Sequence, residues 1–296
     1  MFQHLLVPLD GSALAECVLP PVRALAARLG AAVTLLHVLE RNAPAQVHGD
    51  RHLAAAAEAR AYLDAVAAGL GQEGVRASVH VHEVAEGRVA RSIADHAREF
   101  GCDLIVLATH GRGGVRGFFL GSIAQQVAGS GAAPVFLVHP DAVPDPLCCR
   151  HLTVPLDGAP DHERCLPVAI GLARAFGASL HLVTVVPRRS DLTAEEAAAG
   201  RLLPASTQLR LEVRRQEAAR YLADLRRRLE PEGVPVTVEV RRGEPAAQIL
   251  AALRAAGTDL VVFGTHATKG WEAFWAGSVT PRVLPQWRRP ALLVPV

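Results

Sequence analysis

Lysine is almost missing from this chain. Lys269 is the only one, and the remaining basic side chains are arginine and histidine. Gly270 and Trp271 follow it, so no phosphate-binding loop of the GxxxxGK[ST] type is present. Aromatic residues make up only 4%, too few for the stacking platforms that hold single-stranded nucleic acid. Charge of one sign is lacking too. The 31 basic and 29 acidic residues leave a formal net charge of +2, which excludes a general affinity for polyanions, nucleic acid included. No stretch of about 18 apolar residues is free of charge, so no membrane-spanning helix is expected. The five cysteines are Cys17, Cys102, Cys148, Cys149 and Cys165. Their odd number and irregular spacing do not describe a disulfide framework, and a reducing cytoplasm is the expected setting. Cys148-Cys149 with His151 lacks the second ligand pair of a structural zinc site, so no metal is expected. The opening MFQHLLVPLDGS has no basic segment, and Asp10 interrupts its apolar run, so it does not read as a signal peptide.

What the chain does have is apolar residues, at 50%, and an internal repeat. That apolar content excludes disorder for most of the chain. HLLVPLDG at 4–11 recurs as HLTVPLDG at 151–158, an offset of 147 residues. CDLIVLATHG (102–111) recurs as TDLVVFGTHA (258–267), Gly121-Ser122 as Gly277-Ser278, and APVFLV (133–138) as RPALLV (289–294), all at an offset of 156. The second copy therefore carries nine extra residues, expected as a loop within Arg188–Thr207. Each copy is long enough for its own core. The proline-rich stretch PDAVPDPLCCR reads as a linker, giving domains at 1–140 and 151–296 joined by 141–150.

Strand and helix signals alternate in the first copy. Apolar runs predict strands at Leu5–Leu9, Ala32–Leu39, Asp103–Ala108 and Pro134–Val138, with an edge-like alternating strand at Val75–Val84. Helical periodicity predicts Ala13–Leu29, stopped by Gly30, then Leu53–Leu70, Val89–Phe100 and Ser122–Ala128. This alternation implies parallel crossovers and a sheet covered on both faces.

Ligands of such sheets bind beyond the carboxyl ends of the strands, where strand order reverses. Asp10 follows the first strand, and Asp157 follows its repeat. After the fourth strand come THGRGG, a nine-residue spacer, and Gly121-Ser122 opening a helix. Glycines let backbone amides approach an anion closely, and a helix N-terminus adds oriented donors. Phosphate can be held this way without lysine. GRGGVRG is not GxGxxG, so no dinucleotide fingerprint is present. No Ser/His/Asp order or Cys/His pair stands at a strand end, so no catalytic residue is assigned. Arg226–Arg228, with Arg210, Arg214, Arg215 and Arg220, interleave with Glu212, Glu217 and Asp224, which reads as a solvated helix face.

The segments VPLDGS (7–12), LLHVLE (35–40) and ATHGRGGVRGFFLGS (108–122), with VPLDG (154–158) and GTHATKGWEAFWAGS (264–278), resemble the universal stress protein family. Nearly the whole chain is similar to a tandem two-domain member. The resemblance implies two fused flavodoxin-like (Rossmann-like) α/β domains. Each would have a five-stranded parallel sheet in the order 3-2-1-4-5, with helices on both faces. The family's ATP-binding frame is G-x2-G-x9-G-S/T, and each copy departs from it once. Ala108 replaces the first glycine of the first copy, and Ala267 the second glycine of the second. The loop position meets phosphate, so Ala267 is the more damaging departure and the first site is favoured.

The resemblance assigns nucleotide contacts to Asp10, Val38, Ala108, His110, Gly111, Arg112, Gly121, Ser122 and Ile123. In the repeat it assigns Asp157, Val185, Gly264, His266, Gly277, Ser278 and Val279. It implies ATP, with Mg²⁺ as an optional companion, in a cytoplasmic stress-response protein acting as a binding or switch protein. It also implies a homodimer in which the two halves form an intramolecular pseudo-dimer through their last strands. The alternatives are a nucleotide-free dimeric scaffold with degenerate loops, and a slow Mg²⁺-dependent ATPase using Asp10 or His110.

Overall fold

The computed structural model describes residues 1–41, 46–47, 50–51, 53–109, 122–142, 145–192, 196, 198, 201–266 and 278–296. Two compact units emerge. The first comprises Met1–Cys148, Thr265–Gly277 and Arg288–Pro295, and the second Cys149–Gly264, Ser278–Trp287 and Val296.

The strands of the first unit's main sheet are β1 (His4–Pro8), β2 (Ala32–Glu40), β3 (Ala77–Glu86), β4 (Leu104–Ala108) and β5 (Val135–Val138). A sixth, the chain's last strand (Ala291–Pro295), pairs antiparallel with β5. The others pair in parallel in the order β5-β4-β1-β2-β3, which is the order 3-2-1-4-5 read from the outer strand inward. The apolar runs of β1, β4 and β5 are continuous because helices cover both faces. Leu5, Leu6, Val7, Leu104, Ile105, Val106 and Phe136 are each fully buried.

The helices of this unit are α1 (Ala13–Glu16), α2 (Leu19–Leu29), α3 (Ala56–Gln72), α4 (Val89–Glu99) and α5 (Ser122–Gly129). The single helix expected over Ala13–Leu29 is thus two. Pro20 and Pro21 lack amide donors and would clash with the preceding turn in a helix interior. They are tolerated only in the first turn of a new helix, so α1 ends at Glu16. Gly30 closes α2 in the left-handed region (φ +66°), donating its amide to Ala26 O, as the sequence predicts.

The second unit contains β6 (His151–Pro155), β7 (Ser179–Val186), β8 (Val236–Arg242) and β9 (Leu260–Thr265), parallel in the order β8-β7-β6-β9. Its helices are α6 (Leu166–Phe176), α7 (Pro204–Leu229), α8 (Pro245–Ala255) and α9 (Thr280–Val283). The last strand of the chain is β10. The loop expected over Arg188–Thr207 is shorter than that. Pro204 opens α7, where its missing amide costs nothing. With 26 residues against 17 for α3, α7 is nine residues longer, the size of the insertion. Its arginines form the solvated face expected of them, with Arg215 on Glu212 at 2.6 Å and Arg228 on Glu163 at 3.1 Å.

Candidate functional site

The order of the first sheet reverses between β1 and β4, and a cavity of about 310 Å³ opens beyond the carboxyl ends of these strands. Pro8 at the end of β1 and Asp10 after it, Val38 and Glu40 of β2, and Ala108 of β4 line it. Val89 and Ile93 of α4 form an apolar wall, and Ile123 and Ala124 bring in the first turn of α5.

Local chemistry holds this geometry. The Asp10 carboxylate accepts from the Ser12 amide (2.9 Å) and the Ser12 hydroxyl (2.6 Å). The Ser12 oxygen in turn accepts from the Ala15 amide (3.1 Å) and caps α1. Gly11 lies between them at φ +87°, and a Cβ there would stand 2.7 Å from Leu53 Cδ1. Only glycine satisfies both demands. The buried His37 ring spans two carbonyls, with Nδ1 2.8 Å from Leu9 O and Nε2 3.1 Å from Leu53 O. It ties the end of β1 to the approach to α3.

Of the residues predicted for the first site, the structure brings Asp10, Val38, Ala108 and Ile123 together around this cavity. Ser122 is exposed at the start of α5. His110, Gly111, Arg112 and Gly121 lie outside the described residues. Sequence reasoning missed the wall made by Val89 and Ile93. Both lie on the helix predicted at Val89–Phe100, and nothing in its apolar spacing separates a cavity wall from core.

The second unit is built differently. Asp157 follows β6 as Asp10 follows β1, and its carboxylate accepts from the Ala159 amide (2.9 Å) and from His162 Nδ1 (2.8 Å). Burial alone would raise the Asp157 pKa. The His162 and Ala159 hydrogen bonds outweigh it, and the net shift is downward. The bond to Asp157 raises the pKa of His162 against its own desolvation. The 3₁₀ turn His162–Cys165 closes over the end of β9. A Cβ on Gly264 would stand 3.0 Å from His162 O and 3.2 Å from His162 Cα. Glycine avoids this tight approach, whereas Ala108 borders the first-unit cavity.

Val185 is half-buried on β7, and His266 is exposed just after β9. The Ser278 hydroxyl accepts from the Thr280 amide at 3.3 Å, and Val279 caps the four-residue α9. Gly277 and Ala267 lie outside the described residues. Burial pushes the Cys17 and Cys165 thiols up to about 12 and Cys102 to about 11, so none supplies a thiolate nucleophile. Among the described residues, no helix is long and apolar enough to cross a membrane.

Two α/β units with a carboxylate after the first strand, and in the first of them a cavity at the switch point, define a flavodoxin-like fold. The universal stress protein family model matches residues 1–139 and again 149–295. The chain therefore belongs to the universal stress protein family, as a tandem member. It is 29% identical over 147 residues to universal stress protein MJ0531 of Methanocaldococcus jannaschii, covering 49% of this chain and 81% of that one. It is 31% identical over 197 residues to universal stress protein Rv2005c of Mycobacterium tuberculosis, covering 64% of this chain and 61% of that relative's length. Two solved structures share the fold over 99% of the chain. They are PA1789 of Pseudomonas aeruginosa (TM-score 0.70, 17% identity, 92% of that chain) and a universal stress protein of Archaeoglobus fulgidus (TM-score 0.67, 18% identity, 96% of that chain).

Proposed function

We propose that the first unit binds an adenine nucleotide, with ATP the expected ligand, and that the protein acts as a ligand-dependent binding or switch protein in a cytoplasmic stress response. The observation that carries this reading is the cavity at the switch point, with its apolar walls and the Asp10 carboxylate on its rim. Its volume falls at the low end of small-molecule sites. Val38, Val89, Ile93 and Ala108 offer apolar surface to a base. Asp10 is placed to accept from ribose hydroxyls, and the first turn of α5 to meet phosphate. Mg²⁺ would enter with the phosphates, and among the described lining residues only Asp10 and Glu40 offer it a carboxylate. In the second unit, the closure of His162 over Gly264 supports a nucleotide-free role.

The test is calorimetric titration of the full chain with ATP and with adenosine. Asp10→Asn keeps an oxygen for Ser12 but loses the charge. It should weaken both ligands alike, by about 10- to 150-fold, because a hydrogen bond to a charged group contributes about 1.5–3 kcal/mol. Ser122→Ala should weaken ATP and spare adenosine. Absence of any ATP binding, together with no nucleotide co-purifying with the native protein, would sink the proposal.

A further inference from the structure

A second constellation lies outside the cavity and was not singled out in the sequence. His80 and His82 alternate along β3, so their side chains project from the same face of that outer strand. Helix α4 follows directly and brings His96 against them. The His80 and His96 rings are 4.9 Å apart between centroids, and the His82 and His96 rings 5.0 Å. One ring nitrogen from each of the three lies within 4.8 Å of the others. We propose that His80, His82 and His96 bind a divalent transition-metal ion of the zinc class.

Two features beyond proximity support the assignment. The first is the His96 tautomer. Its Nδ1 lies 2.7 Å from the Ser92 carbonyl oxygen, which can only accept, so Nδ1 carries the proton. The Nε2 lone pair is left for a ligand, and a backbone carbonyl orienting the far nitrogen is the usual support of a metal-bound histidine. The second is ring placement. The edge of Phe100 packs on His80 with centroids 4.9 Å apart, and Phe100 also meets His96 at 5.4 Å.

Three imidazoles suit zinc, copper, nickel or cobalt rather than magnesium or calcium. Zinc–nitrogen bonds of about 2.0–2.1 Å place tetrahedral ligands about 3.3 Å apart, so the rings need to close by roughly 1.5 Å. His80 and His82 are only half-buried. The groove beside them is open and also lined by Asp95 and Glu99, with Arg88 and Arg91 opposing a cation. Asp95 ion-pairs with Arg91 and Arg98. Three protein ligands and an accessible fourth position form the open zinc pattern. No residue lines both this groove and the switch-point cavity, so the two sites are separate. A bound ion would clip α4 to β3.

The test uses the full chain stripped with a chelator and titrated with Co²⁺, read by its visible d–d absorption, then displaced with Zn²⁺. One Co²⁺ per chain in a tetrahedral nitrogen and oxygen environment is expected. His80→Asn and His82→Asn sit on a half-exposed strand face, and each should lower affinity about 100-fold or more while circular dichroism stays unchanged. Cys148→Ser with Cys149→Ser should bind as the parent does. The proposal is overturned if the parent binds no ion stoichiometrically. It also fails if its cobalt spectrum shows thiolate charge transfer, or if both histidine variants stay within about threefold of the parent.

Discussion

At position 108 a methyl group lines a cavity, and at position 264 the same group would meet a backbone. Both residues stand at the end of the fourth strand of their repeat. Ala108 borders open space in the first unit. A methyl on Gly264 would press the His162 carbonyl and Cα at 3.0 and 3.2 Å. The 3₁₀ turn His162–Cys165 is pinned by Asp157 on one side, so it has little freedom to retreat. Gly264→Ala should therefore destabilise the protein by about 1–3 kcal/mol, as overpacking does. Ala108→Gly removes only a cavity-lining methyl and should cost about 0.5–1 kcal/mol through backbone entropy. Urea unfolding of the two variants compares them directly. Equal losses would mean that the His162 turn moves aside freely.

Among the elements, the two Gly-Ser helices differ more than their motifs do. Helix α5 runs eight residues from Ser122 to Gly129, whereas α9 has four and passes into a 3₁₀ turn at Leu284–Gln286. Pro281 and Pro285 remove two amide donors from that stretch. A single turn sums few peptide dipoles, and the Ser278 hydroxyl already holds the Thr280 amide. Calorimetry should therefore find one ATP per chain, with Ser278→Ala leaving affinity within about threefold of the parent. Two equal sites would contradict this. The alternation of apolar runs and helical stripes makes the parallel sheets and their helices legible in the sequence, because strands covered on both faces are predominantly apolar. The break at Pro20–Pro21 was missed because the stripe Leu14, Val18, Val22 continues across it at helical spacing. The N-terminal turn of α7 was taken for loop because Pro204 both breaks and opens helices. The family resemblance singles out Asp10, Val38, Ala108 and Ile123, and all four line one cavity. The His162 closure was hidden, since it depends on a distance between residues 102 positions apart in sequence.

For the molecule as a whole, the decisive feature is where the chain ends up. Strand β10 comes from the second repeat, yet it groups with the first unit and pairs antiparallel with β5. Leu292 lies opposite Phe136, and both are fully buried. Arg288 of the same segment reaches Asp141 at 3.0 Å. Sequence separation between these partners is over 140 residues, so their pairing is a long-range contact, and burial of the strand's apolar face supports it. A charge at that position would have no partner to offset its desolvation. Leu292→Asp should cost more than the truncation Leu292→Ala, itself about 2–5 kcal/mol, if the strand stays docked. If β10 leaves instead, the edge of β5 is exposed, and uncovered apolar edges invite pairing between chains. Urea unfolding gives the first quantity, and light scattering at rising concentration reports the second. Stability within about 0.5 kcal/mol of the parent and no added scattering would show that β10 contributes nothing to the first sheet.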